Sequence, residues 1–166
     1  MRRAAGWWIY AWFSRHPRNV LHSLRTARAM APPQVLEKIR SEIIESGRDT
    51  RYHLYAYLFV LNGLEFYLMK IGEKRHVTGQ EFAAGLVDFA TKQFGPLAYQ
   101  VLTHWGVHKT DDLGYIVYNL IDIGLMSKQE SDRLGDFFDV LPLRRYCEEQ
   151  DHFVIDREFI KSVRGA

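Results

Sequence analysis

The residues able to do chemistry are few and scattered. His104 and His108 stand four apart, with Asp111 and Asp112 just beyond. On one continuous helix that spacing would put both imidazoles on one face, with a carboxylate as third metal ligand. Gly106 lies between them and is expected to end the helix there. Trp105 beside it favours local packing, so His104 and His108 are read as structural polar residues and no metal is expected. Glu65 sits on the most apolar stretch of the chain. If buried it needs Arg51, Lys70, Arg75 or a histidine as partner, or its pKa rises; exposure to solvent is the simpler expectation. His53, on the same stretch, reads as a core or boundary histidine rather than a base. Asn119, between Tyr118 and Leu120, is expected to bond a loop backbone and pin the hairpin read into the residues after its helix. Cys147 has no His partner in sequence and is not read as a nucleophile. A phosphate-binding glycine loop, a paired-histidine zinc motif and a calcium loop are all missing from the sequence. No catalytic residue, cofactor or metal is therefore assigned.

Binding chemistry is concentrated at the N-terminus. Arg2, Arg3, Arg15, Arg18, Arg25 and Arg28 are accompanied by no acid in residues 1–29, which leaves 16 bases against 20 acids in residues 30–166. The total of +2 is thus the sum of a basic arm and a mildly acidic body. Trp7, Trp8 and Trp12 are interleaved with these arginines, a pattern that suits phosphate contact with base stacking, or an anionic membrane surface. The arm is the candidate macromolecule-binding segment, through which RNA and peripheral membrane contact are both open.

These residues need elements to position them. The chain has 166 residues, 47% of them hydrophobic and one a cysteine. That supports a folded domain over residues 30–166 without disulfides. The apolar run Tyr52–Leu64 is far short of the roughly 20 residues of a membrane span. No secretory signal is evident, and a cytoplasmic protein is expected. Val35, Leu36, Ile39, Ile43 and Ile44 trace one face of a helix from Gln34 to Ser46. A second helix over 51–71 is apolar around most of its surface and should run through the core. Thr78 with Glu81 forms a capping box, and Val77 with Phe82 a hydrophobic staple, opening a third helix that Gly95-Pro96 ends. A short helix follows to Gly106. Thr110 or Asp111 should cap the next, which Gly124 closes. Leu125–Lys128 and Phe137–Val140 read as two strands around a charged turn. A short helix at 143–148, a strand at 153–155 and a helical turn at 157–163 complete the chain.

Arg51-Tyr52, Ala56–Val60, His76–Gly79, Gln93–Pro96, His104–Val107 and Asp112–Leu120, in this order, resemble the Minf_1886 family of Planctomycetes and Verrucomicrobia. The resemblance spans residues 34–141 and implies a compact bacterial protein. It carries over no catalytic or ligand residue. In that family the first body helix lies near the start. Met30 is therefore a second candidate initiator, beside a genuine or processed arm over 1–29.

The expectation is a mainly α protein, a compact helical domain with a winged-helix-like segment of three helices and a β-hairpin. The presented helix carries Asp111, Asp112 and Asp122 and neither Lys nor Arg, which disfavours DNA reading. A non-enzymatic binding or adaptor protein with a protein partner fits best. The alternatives are an RNA- or ribosome-associated factor using the arm, and an enzyme of unrecognised type. Oligomeric state is not legible.

Overall fold

A computed structural model describes residues 32–71 and 77–149. The arginines and tryptophans of the arm, Arg75, and the strand and helical turn read into 153–163 lie outside the described residues.

The described chain is helical. Pro32 and Pro33 open α1 (Pro33–Ile39), which runs into a wider π-helical turn, Arg40–Glu45. Ile39 and Ile43 are fully buried on its inner side, as the apolar periodicity requires. α2 (Leu54–Ile71) begins later than its apolar pattern suggests, because residues 49–53 are held in a loop. It packs against α3 (Gly79–Phe94) and α5 (Thr110–Asp122), but the centre of the bundle is α3, which meets more of the other elements than α2 does. The close approach of α2 to α3 uses small residues on both sides. A Cβ on Gly63 would collide with Leu86, and one on Gly85 would collide with Tyr67.

α3 starts at the expected capping box. Thr78 Oγ1 accepts from the Glu81 N–H at 3.2 Å, and Glu81 Oε2 accepts from the Thr78 N–H at 3.2 Å. Gly95, at φ +54°, ends α3, and a 3₁₀ turn leads into α4 (Ala98–His104). α5 is opened by neither Thr110 nor Asp111. Asp112 Oδ2 accepts from the His108 and Lys109 N–H groups at 2.9 and 3.1 Å, and Thr110 and Asp111 are buried and engaged elsewhere. The last described element is α6 (Leu143–Glu149).

The winged-helix-like hairpin is not formed: among the described residues there is no strand. Many backbone donors of residues 125–140 are already taken. Leu125 and Met126 donate back to the Leu120 carbonyl at the end of α5. Gln129 N–H goes to Asp132 Oδ2, and Arg133 N–H to Asp136 Oδ2. Asp139 and Val140 donate to Asp111 Oδ1 and Thr110 Oγ1, both at 3.2 Å. Leu134–Phe137 is a 3₁₀ turn that drives Phe137 inward, to 4% exposure. Phe137 fills the space left by Gly79 and Gly114, where added Cβ atoms would lie within 3 Å of its side chain. A flat strand would withdraw that ring from the core, so burial wins over strand propensity.

Candidate functional site

The densest polar arrangement is built on the loop before α2. Gly47, at φ +71°, turns the chain out of the first helical segment. Asp49 then folds inward, 8% exposed, and its Oδ1 accepts from the Arg51 N–H at 3.1 Å, a local Asx turn. The same carboxylate holds the Arg51 side chain at two points, Nε at 3.0 Å and Nη2 at 2.8 Å. α5 supplies the fourth donor: Asn119 Nδ2 lies 2.9 Å from Asp49 Oδ2 and 3.3 Å from the Tyr57 hydroxyl. Burial alone would raise the Asp49 pKa. Hydrogen bonds from the Arg51 side chain, Asn119 and the Arg51 backbone outweigh it and hold the carboxyl below its usual range. Tyr57 is fully buried, and burial pushes its hydroxyl up to about 12.

The Arg51 guanidinium lies 4.4 Å from the Tyr115 ring centre and 4.9 Å from that of Tyr52. Tyr52 is buried, and its hydroxyl donates to Asp112 Oδ1 at 2.8 Å. Asp112 thus ties the loop to the start of α5, while Asn119 ties it further along the same helix. On the far side, the His53 N–H donates to the Trp105 carbonyl at 3.0 Å. Gly106, at φ +89°, passes so close to the Arg51 carbonyl that a Cβ would collide with it. The loop is therefore clamped between α5 and the end of α4.

Aromatic surface surrounds this clamp. Tyr55 is 49% exposed, with its ring 6.3 Å from Trp105 and 5.1 Å from His53. Phe138 is 41% exposed and lies 6.0 Å from Tyr115. The Arg51 side chain is itself half exposed, and its Nη1 has no protein partner among the described residues. Asp49 accepts four hydrogen bonds and Asp112 three, which suits positioning rather than proton transfer. The face offers an immobilised cation and ring surfaces, a recognition chemistry.

The predicted polar residues fare unevenly. His104 and His108 are both exposed, on opposite sides of the Gly106 turn. Among the described residues no group of three His, Cys, Asp or Glu side chains could hold a metal ion. His53 is exposed rather than a core or boundary residue. Glu65 is half-buried, and burial raises its pKa; two of the partners expected for it, Arg51 and Lys70, are paired with Asp49 and Asp88 instead. Asn119 does hold a loop, but through the Asp49 carboxylate rather than a backbone group, and the loop precedes α2 instead of following α5. Cys147 is buried, and burial pushes its thiol up to about 11, the reverse of activation. Sequence reasoning missed Asp49, Arg51, Tyr52 and Tyr115 as a set. The one local signal was the Asp49-Thr50-Arg51 spacing, which permits an Asx turn with a returning guanidinium.

A shallow groove of about 420 Å³ lies between the start of α5 and α6. Its cations are committed: Arg144 and Arg145 pair with Glu148 and Glu149 at 2.9 and 2.7 Å, and Lys109 with Asp111 at 2.7 Å. No helix among the described residues is long and apolar enough to cross a membrane. Compared with known proteins, the chain matches no family model, no curated protein and no solved structure.

Proposed function

We propose that the protein is a non-enzymatic binding or adaptor protein whose helical body recognises another protein through the face around Arg51. The observation that carries this reading is the clamping of Arg51 between the Asp49 carboxylate, itself held by Asn119, and the rings of Tyr52 and Tyr115, with exposed Tyr55 and Phe138 nearby. An arginine held in one geometry has already lost its rotamer freedom, so contact with it costs less entropy. Exposed aromatic side chains next to it are the residue types that dominate protein interfaces. Kinship with the Minf_1886 family belongs to the same proposal and rests on the sequence blocks that include Arg51-Tyr52 and Asp112–Leu120.

The test is affinity capture from native cells with the unaltered chain and with a Tyr55→Ala/Phe138→Ala variant, each with and without nuclease. Both side chains are surface-exposed, so the fold should survive their loss. A protein partner retained after nuclease and lost from the variant is the expected result. The same partners on both chains would refute the reading, and capture abolished by nuclease would transfer it to RNA.

A further inference from the structure

The outward side of α2 carries a feature that the Arg51 face does not use. Glu65, Leu68 and Met69 follow at i, i+3 and i+4, so they form one short stripe near the C-terminal end of the helix. The inward side bears Ala56, Val60 and Gly63, and Gly63 meets Leu86 and Phe89 of α3. The stripe points the other way. Glu65 and Leu68 are half-buried and Met69 is 59% exposed, whereas Leu58 and Leu61, earlier in the helix, pack on the core. Towards its C-terminal end α2 is therefore apolar on a second, outer side. Glu65 interrupts the outer one, and it has no hydrogen-bond or ion-pair partner among the described residues. A carboxylate half withdrawn from water within an apolar stripe is best complemented by an apolar segment that brings its own cation.

The chain contains such a segment. Residues 1–29 hold six arginines, no acid, and Trp7, Trp8, Trp12, Leu21 and Leu24, while residues 30–166 have more acids than bases. The segment joins the body at Pro32, immediately before α1. At about 3.3 Å per residue its extended reach approaches 100 Å, against a radius of gyration of about 13 Å for a body of this size. Reach therefore excludes no face of the body. The C-terminal residues 150–166 offer no comparable complement: Asp151, Asp156 and Glu158 cancel Arg157, Lys161 and Arg164.

We propose that residues 1–31 dock on the outward stripe of α2, with their apolar side chains against Leu68 and Met69 and one arginine paired with Glu65. This stands apart from the recognition face around Arg51.

Trp105→Phe in the full chain leaves Trp7, Trp8 and Trp12 as the only tryptophans. Their emission and acrylamide quenching then report on the segment alone. Docking gives blue-shifted emission and quenching several-fold below that of N-acetyltryptophanamide. Both return towards the free standard in Leu68→Arg and Glu65→Lys variants whose circular dichroism is unchanged. Trp105 belongs to an aromatic cluster, so a second readout keeps it: peroxide oxidation of Met69, followed by peptide mass spectrometry. It should be several-fold slower in the unaltered chain than in Glu65→Lys. Tryptophans as accessible as the free standard would overturn the proposal. So would shielding that ignores both α2 substitutions, or shielding that appears only with a dimer mass at high concentration.

Discussion

Asp49→Ala is the sharpest perturbation of the clamp. Asp49 is 8% exposed and accepts from the Arg51 N–H (3.1 Å), Nε (3.0 Å) and Nη2 (2.8 Å) and from Asn119 (2.9 Å). Bonds to a charged acceptor contribute about 1.5–3 kcal/mol each in favourable settings. The Arg51 side chain is 54% exposed, however, so water replaces much of what it loses. The backbone N–H and Asn119 are less well compensated, at about 1 kcal/mol each. The expected loss is about 2–3 kcal/mol, or a Tm lower by about 8–12 °C for a body of this length. Urea denaturation of the unaltered chain, Asp49→Ala, Asn119→Ala and the double variant closes a cycle, with an expected coupling of about 1 kcal/mol. The pH dependence has a definite sign. The Asp49 pKa is lowered in the folded state, so its contribution is complete above the ordinary carboxylate range. It disappears as pH falls through the folded value, and the gap between the unaltered chain and Asp49→Ala should close on that side only. A loss below about 0.5 kcal/mol, or no coupling to Asn119, would refute the clamp as a stabilising unit.

Three further outcomes follow from other contacts. Gly106→Ala combines φ +89° with a collision against the Arg51 carbonyl, and should cost roughly 2–4 kcal/mol in denaturant unfolding. Thr78→Ala removes the acceptor for the Glu81 N–H and should cost about 1 kcal/mol, whereas Thr78→Ser should keep most of it. The buried Tyr57 hydroxyl, pushed up to about 12, should be missing from the tyrosines that ionise near pH 10 when absorbance at 295 nm is followed. Its raised pKa means that stability is whole below about pH 10 and falls as pH rises towards 12.

The helices and most of their ends were legible in the sequence because each is set by a local cause. The Thr78–Glu81 capping box, the Gly95-Pro96 break and the apolar faces of α1, α3 and α5 depend on residues within a turn or two of one another. The hairpin failed because the apolar residues of Phe137–Val140 are equally compatible with one ring dropping between two glycines. Gly79 and Gly114 come from different helices, and only their approach creates the space that Phe137 fills.

The candidate site divides along the same line. Asp49 and Arg51 could be paired from their spacing, since an Asx turn is a local event. The bond from Asn119 to Asp49, and the ring of Tyr115 beside Arg51, join residues more than sixty positions apart. The sequence by itself determined a mainly helical body, its element ends and the charge division between arm and body, because propensity, capping and composition act at short range. Only the tertiary structure decided that residues 125–140 are not a hairpin and that Arg51 is clamped against the rings of Tyr52 and Tyr115. Those outcomes depend on which helix faces meet, and packing across the whole body selects among patterns that local physics leaves equivalent.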